Sequence, residues 1–183
     1  MPITTPAGVH VRTATFWFPA NHWGIDDWTI PLSTMLGGEL EPDPRLLALP
    51  PHSGRARALL AAPVDGSPIR CAGGLLGLLD LAGTGAEAAQ RARARRDTWS
   101  QTGRIRGRRP GRVEEALLRA GRQTYVTYHS LRRVVGDALI IMGTRTPLCP
   151  TERTTQALVD YVHQATMRLA DAAPDDVLVT AAV

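Results

Sequence analysis

A block of arginines has the clearest chemical potential in this sequence. Residues 91–133 carry 13 arginines against 3 acidic residues, a net charge of +10, whereas residues 1–90 and residues 134–183 each carry a net charge of −3. Arginine binds carboxylate and phosphate groups through paired hydrogen bonds, so this block favours an anionic partner. The segment from Ser100 to Pro110 is predicted to be a loop that repulsion between its own charges keeps extended until a partner binds. This loop contributes four candidate binding residues, Arg104, Arg106, Arg108 and Arg109.

Two kinds of macromolecule fit such a block. We favour a non-enzymatic binding or accessory protein that docks an acidic protein partner through this arginine-rich face. The first alternative is a nucleic-acid-binding protein that uses the same arginines on phosphates and aromatic side chains on bases. The aromatic candidates for stacking are Trp99, Tyr125 and Tyr128. All 21 basic residues are arginine, which is also typical of a GC-rich bacterial genome, for example that of an actinobacterium.

The loop from Asn21 to Trp28 is a second candidate site. Its tryptophans, Trp23 and Trp28, are candidate binding residues beside the arginine-rich face. Imidazole and carboxylate groups suit Zn²⁺ or Mn²⁺, but the spacing of this loop's His22, Asp26 and Asp27 matches no metal-site motif. We therefore expect neither a metal nor a cofactor, and we assign no catalytic residue. A small enzyme with a His/Asp site is the second alternative, although no nucleophile elbow, zinc-protease motif or phosphate loop is present.

The sequence patterns in the last third of the chain predict the secondary-structure elements that position these residues. Thr124 to Val135 is rich in β-branched and aromatic residues and predicts a strand, and Gly136-Asp137 fits a type II′ turn. A second, buried strand is predicted from Ala138 to Thr146. A long amphipathic helix capped by Thr151 follows. Its apolar stripe, which includes Leu158, Val162 and Leu169, is expected to pack on Ile140 and Met142.

The whole chain is predicted to be an α+β protein, with an antiparallel sheet flanked by helices and closed by a β-hairpin and a long C-terminal helix. We divide it into a loose arm over residues 1–8, a single domain over residues 9–173 and a C-terminal tail over residues 174–183. Other predicted strands are Val9–Phe18, Ala56–Ala62 and Ile69–Ala82; other predicted helices are Ala86–Trp99 and Val113–Ala120; residues 37–51 are predicted to form an irregular loop.

The location and assembly of the protein are also predicted from simple features. The chain shows neither a signal peptide nor an apolar stretch long enough to span a bilayer, so we expect a cytoplasmic protein without a transmembrane segment. Cys71 and Cys149 form no CxxC pair, which favours reduced thiols, although a single disulfide stays open. His129 and His163 are candidates for a structural pair. Formation of a homo-oligomer stays open as well.

One family resemblance accompanies these patterns. The segment Phe16-Trp17-Phe18-Pro19 with Trp23, and the segment Val134 to Leu139 followed by Thr144 to Pro147 and the last helix, resemble PsbP-like and DcrB-like αβα sandwich proteins. The resemblance covers about half of the chain, and this chain lacks the signal peptide and lipobox cysteine of the secreted members. It implies an αβα sandwich and a binding or accessory role rather than an enzyme.

Overall fold

The computed structural model describes residues 11–20, 41–50, 59–60, 70–144 and 147–182. This part of the chain is an α+β fold, which confirms the predicted class. None of its helices is long and apolar enough to cross a membrane. The strands are β1 (Thr13–Phe18), β2 (Glu41–Pro42), β3 (Leu46–Leu47), β4 (Leu59–Leu60), β5 (Arg70–Cys71), β6 (Gly73–Leu75), β7 (Ala138–Ile141) and β8 (Val177–Ala182). The α-helices are α1 (Leu81–Thr102), α2 (Arg112–Arg119), α3 (Arg122–Val135) and α4 (Thr155–Ala170), and a 3₁₀ turn spans Leu76–Leu78.

The main sheet has β1 and β8 near its centre. Its strand order is β4-β6-β8-β1-β7, and β2 also pairs with the end of β8. β1 runs antiparallel to β8 from Thr13↔Ala182 to Phe18↔Val177, and it runs parallel to β7. β3 and β5 form a separate two-stranded sheet. Both faces of β1 and β8 are buried, as expected for apolar strands inside a covered sheet.

The predicted C-terminal tail contains β8, a buried strand between β6 and β1. The run Val177-Leu178-Val179 is short and apolar with two β-branched valines, which suits a central strand despite its place near the end of the chain. Asp176 fixes the entry to this strand. Its carboxylate accepts hydrogen bonds from Trp17 Nε1 at 2.8 Å and from the backbone N–H of Ala20 and of Ala173.

The predicted strand from Thr124 to Val135 is wrong, because these residues form α3, and the predicted hairpin is therefore also wrong. The local preference of these residues for strand is outweighed by tertiary packing. Packing determines whether a segment with weak intrinsic propensity forms a helix or a strand. Tyr125, Val126, Tyr128 and Val135 are the buried residues of α3. The neighbouring surface of α1 is made of small residues, so the two helices approach closely, and Ser130 Oγ donates to Gly85 O at 2.9 Å.

The predicted apolar stripe on the last helix is buried. However, it packs on the face of the sheet opposite to the one that carries Ile140 and Met142. Leu158, Val162 and Leu169 share a cluster with Leu139, whereas Ile140 and Met142 pack in the cluster on the opposite face. Successive strand residues point to opposite faces, so an error of one residue in register reverses the contact. The cap of α4 is Thr154 rather than Thr151, and its side chain accepts from Ala157 N at 3.3 Å.

The remaining element predictions have mixed outcomes. The helices predicted over Ala86–Trp99 and Val113–Ala120 are confirmed by α1 and α2. The single strand predicted over Ile69–Ala82 is wrong, because this segment contains β5, β6, the 3₁₀ turn and the start of α1. The described part of the predicted loop over residues 37–51 contains β2 and β3. The predicted arm over residues 1–8 lies outside the described residues.

Gly136 ends α3 in a conformation that side chains strongly disfavour. Its φ of +73° confirms the predicted positive value, although the residue is a helix end rather than part of a hairpin turn. Its ψ is −158°, a combination that is essentially restricted to glycine. A Cβ atom here would lie 2.7 Å from Arg45 Nη2 and 2.9 Å from Thr13 O. The glycine therefore permits the close approach of α3, β1 and Arg45.

We expect Gly136→Ala to lower the free energy of unfolding by about 3 kcal/mol, because backbone strain adds to overpacking. Gly103→Ala is the matched control, since Gly103 has φ +65° but open space around its Cβ position. The control should lose about 1 kcal/mol. Urea unfolding measures both values, and equal losses would show that contact with Arg45 and Thr13 imposes no constraint.

Candidate functional site

A polar pocket of about 450 Å³ lies between α1, α3 and the start of β1. Six arginines line it together with only two carboxylates, those of Asp43 and Glu114. We call it the arginine pocket, defined by Arg45, Arg91, Arg95, Arg106, Arg132 and Arg133. Its size is within the range of sites for small organic molecules. Its lining makes it a candidate site for an anion.

Four separate elements bring these arginines together. Arg91 and Arg95 are four residues apart on α1, so they lie on the same face of that helix. Arg132 and Arg133 belong to the last turn of α3. Arg106 occupies a tight turn between α1 and α2, and Arg45 precedes β3. The site therefore depends on tertiary packing rather than on one charged segment.

Three of the six arginines are paired with carboxylates. Arg45 Nη1 lies 3.4 Å from Asp43 Oδ2, and Arg91 Nη1 lies 3.0 Å from Glu87 Oε1. Arg132 binds Asp137, with Nη2 2.6 Å from Oδ1. Among the described residues, no carboxylate lies within salt-bridge distance of the guanidinium groups of the other three, Arg95, Arg106 and Arg133.

Arg45 places a positive charge beneath the pocket. Its side chain is 3% exposed, and its Nη2 donates to Thr15 Oγ1 at 2.7 Å and to Ala14 O at 3.3 Å. Burial lowers the pKa of Arg45 to about 10, and the nearby Arg133 lowers it further, while Asp43 opposes both effects. The group is still protonated at neutral pH. Because burial weakens screening by water, this charge raises the positive potential of the pocket.

Glu114, Tyr125 and His129 form a hydrogen-bonded cluster at one wall. Tyr125 Oη donates to Glu114 Oε1, and His129 Nε2 lies 3.5 Å from the same oxygen. Burial alone would raise the pKa of Glu114, but hydrogen bonds from His129 and Tyr125 bring it below its ordinary value. Burial also raises the pKa of Tyr125, and the neighbouring Glu114 carboxylate raises it further. The cluster therefore keeps Glu114 ionised and Tyr125 protonated.

A larger groove of about 860 Å³ adjoins the arginine pocket and shares Glu114, His129 and Arg132 with it. We call it the side groove, defined by its apolar lining. Those apolar residues are Val11, Val113, Leu117, Tyr128 and Leu158. Val113 is 36% exposed and is one of three large hydrophobic residues exposed in the described part of the chain. The polar pocket thus opens beside a surface that can contact an apolar group.

The four arginines predicted from the sequence are all exposed, but only Arg106 lines the arginine pocket. Their loop is not extended, so that expectation is wrong. Ile105 N donates to Arg108 O at 2.9 Å, and Arg108 N donates to Ile105 O at 3.0 Å. Arg106 and Gly107 have φ values of 50° and 76°, which suit a two-residue hairpin turn. Local hydrogen bonds outweigh the repulsion between these solvated charges.

The other predicted site residues have separate outcomes. Trp23 and Trp28 lie outside the described residues, as do His22, Asp26 and Asp27. Within the described ranges, no group of three or more His, Cys, Asp and Glu side chains could hold a metal ion. His163 is exposed on α4, whereas His129 is nearly buried in the cluster with Glu114.

The aromatic residues predicted to stack on bases are not free to do so. Tyr125 is completely buried and Tyr128 is 7% exposed. Trp99 packs against the core, and the guanidinium of Arg96 lies 4.8 Å from its ring centroid. The two cysteines are free thiols, and burial raises the pKa of both Cys71 and Cys149.

Sequence reasoning missed most of the site. The one local signal was the four-residue spacing of Arg91 and Arg95, which places both on one face of a helix. Arg45 stands far from the arginine block, and the helix that carries Arg132, Arg133 and His129 was predicted to be a strand. No local pattern connects these residues.

Comparison with known proteins adds no relative. No protein-family model matches this chain, and neither a curated protein nor a solved structure shows significant similarity to it. The resemblance to PsbP-like and DcrB-like proteins therefore stays a prediction.

We expect Glu114→Gln to remove a stabilising contribution that depends on pH. Because the folded-state pKa of Glu114 lies below its ordinary value of 4.5, this contribution is fully present above that pH and is lost as the pH falls through the folded-state pKa. The variant should therefore be less stable than the parent at about pH 7, and the difference should shrink towards about pH 3. Urea unfolding at several pH values measures this.

Glu115→Gln is the matched control for that experiment. Glu115 is the next residue of α2, and its partner Arg119 is exposed, so the pair should contribute less than about 1 kcal/mol. A constant difference between Glu114→Gln and the parent over the whole pH range would contradict a role for the Glu114 charge.

Proposed function

We propose that this protein is a non-enzymatic binding protein that holds an acidic protein partner through the arginine pocket and the exposed arginines beside it. The observation that supports this most directly is the set of three guanidinium groups without a carboxylate partner among the described residues, those of Arg95, Arg106 and Arg133. They come from three different elements and line one pocket above the buried charge of Arg45. An acidic side chain of a partner can bind there through paired hydrogen bonds.

The electrostatic repulsion among the arginines of this pocket supports the same proposal. Like charges in one concave site repel each other and destabilise the folded state. Burial lowers the pKa of Arg133, and the nearby positive charge of Arg91 lowers it further, so the repulsion acts at this position. The described part of the chain contains no carboxylate that pairs with Arg133. An anionic group from outside would relieve the repulsion and convert it into binding free energy.

The nucleic-acid alternative uses the same arginines but fits less well. A pocket suits one discrete acidic group, whereas single-stranded nucleic acid is held by a charged groove with free aromatic side chains. The three aromatic candidates are buried or packed against the core. The enzyme alternative would have to use His129 with Glu114 rather than a His/Asp pair, and among the described residues no serine or cysteine lines the arginine pocket. We also infer a cytoplasmic location, which the free thiols Cys71 and Cys149 support.

The double variant Arg95→Gln/Arg133→Gln tests this proposal. A glutamate-rich peptide and a single-stranded DNA of equal charge serve as probes, and fluorescence anisotropy measures binding. We expect the peptide to bind the parent protein and the double variant to bind it at least about tenfold more weakly, because each hydrogen bond to a charged group contributes about 1.5–3 kcal/mol.

The matched control is Arg93→Gln/Arg168→Gln, which removes the same charge from exposed positions outside the pocket. The control should change peptide affinity less than threefold at about 0.15 M salt, where surface charges are screened. If the DNA binds more tightly than the peptide and the pocket variant abolishes that binding, the protein-partner proposal is wrong. If both double variants weaken binding equally, general charge rather than the pocket is responsible.

A further inference from the structure

The three arginines without a carboxylate partner approach the pocket from different elements, and this arrangement distinguishes between acidic groups. Arg95 belongs to α1, Arg106 to the turn before α2 and Arg133 to the end of α3. A carboxylate has two oxygen atoms in one plane. A phosphate monoester has three terminal oxygens arranged around phosphorus and carries about −1.5 to −2 charge at neutral pH. It can therefore accept hydrogen bonds from three directions at once.

The charge of the pocket also exceeds what one carboxylate can neutralise. Three arginines lack a carboxylate partner, and the lining includes six arginines against the acidic groups of Asp43 and Glu114. One carboxylate compensates a single charge, whereas a phosphate monoester compensates close to two. The match in charge favours phosphate.

One buried nitrogen atom of the pocket lining adds an independent observation. The side chain of Arg45 is only 3% exposed, and its Nε lacks a hydrogen-bond partner among the described residues. Buried polar atoms are nearly always hydrogen-bonded, so this nitrogen points to a site that a ligand completes.

The side groove indicates what the phosphate is attached to. The groove meets the arginine pocket at Glu114, His129 and Arg132, and its apolar lining includes Val113, Leu117, Tyr128 and Leu158. The charged residues of this groove are Arg12, Arg112, Arg132 and Arg153 with Glu114 and Asp137, so its charge does not favour a basic body. Its apolar side chains favour an uncharged body with an apolar part.

We propose that this site binds a phosphate monoester, with the phosphate among Arg95, Arg106 and Arg133 and an apolar part of the same molecule in the side groove. This inference rests on the proposed function, because the acidic group of the partner would then be a phosphorylated side chain. A small alkyl phosphate carries the same chemistry and is the other source that the experiment must distinguish.

Binding of four probes to the full chain, with inorganic phosphate as a reference ligand, is measured by isothermal titration calorimetry and tests the proposal. The probes are a phosphoserine peptide with leucine beside the modified residue, the same peptide with glutamate at that position, hexyl phosphate and hexanoate. We expect each phosphate probe to bind at least about tenfold more tightly than its carboxylate counterpart. The tighter of the two phosphate probes identifies the source, a modified protein or a small molecule.

Two single variants connect this binding to the structure. Arg106→Asn removes one guanidinium and keeps the turn, since asparagine tolerates positive φ, and it should weaken both phosphate probes at least fivefold. Val113→Asn changes the exposed side chain of the side groove. It should lower the affinity for hexyl phosphate at least threefold and leave the affinity for inorganic phosphate unchanged. Arg93→Gln is the control and should change the affinity for none of these ligands.

The outcomes separate this inference from the function on which it rests. If the glutamate peptide binds as tightly as the phosphoserine peptide, and only the pocket variants weaken it, phosphate selectivity is wrong and the acidic-partner proposal stands. If none of the four probes binds, both proposals are wrong. If Val113→Asn weakens inorganic phosphate as much as hexyl phosphate, the side groove does not hold the organic part.

Discussion

The carboxylate of Asp137 is the interaction on which the rest of this arrangement depends. It accepts hydrogen bonds from Arg12 N at 3.1 Å and Thr13 N at 3.2 Å, and it also accepts one from Arg132 Nε at 2.8 Å. These contacts join the start of β1 to the end of α3, where Gly136 allows the two segments to meet. Because α3 also packs closely on α1, the junction fixes Arg132 and Arg133 opposite Arg91 and Arg95. The arginine pocket is a consequence of this junction rather than of a charged segment.

The arginines of the pocket divide into those whose charge is paired within the fold and those that have no carboxylate partner among the described residues. Arg132 pairs with Asp137, and Arg45 donates to Thr15, whose own hydroxyl donates to Val134 O at 2.7 Å. Arg45 is 3% exposed, so removing its partners would leave an uncompensated buried charge, and Arg132 joins the end of α3 to Asp137. Both residues therefore hold the fold. Arg95, Arg106 and Arg133 have no such pairing in the described part of the chain. An account that counts all 13 arginines of the block as one surface misses this division.

An element or site can be predicted from the sequence only when its signal lies within a few neighbouring residues. Helix α1 is predicted from its composition and α2 from the glycine that follows it, Gly121, because these signals lie within a few residues. Helix α3 is missed because Thr124 to Val135 favours a strand locally, and only packing of Tyr125 and Tyr128 against α1 and its neighbours selects the helix. The site is missed for the same reason, since Arg133 Nε donates to the carbonyl of Arg45 across 88 residues of sequence.

A crystal structure of the protein soaked in tungstate tests the central claim most directly. Tungstate is a tetrahedral dianion like phosphate, and its anomalous signal locates it without reference to any partner. The account predicts a strong peak within hydrogen-bond distance of the guanidinium groups of Arg95, Arg106 and Arg133, and no peak in crystals of Arg95→Gln/Arg133→Gln. A peak confined to the exposed Arg104, Arg108 and Arg109, with an empty arginine pocket, would contradict it.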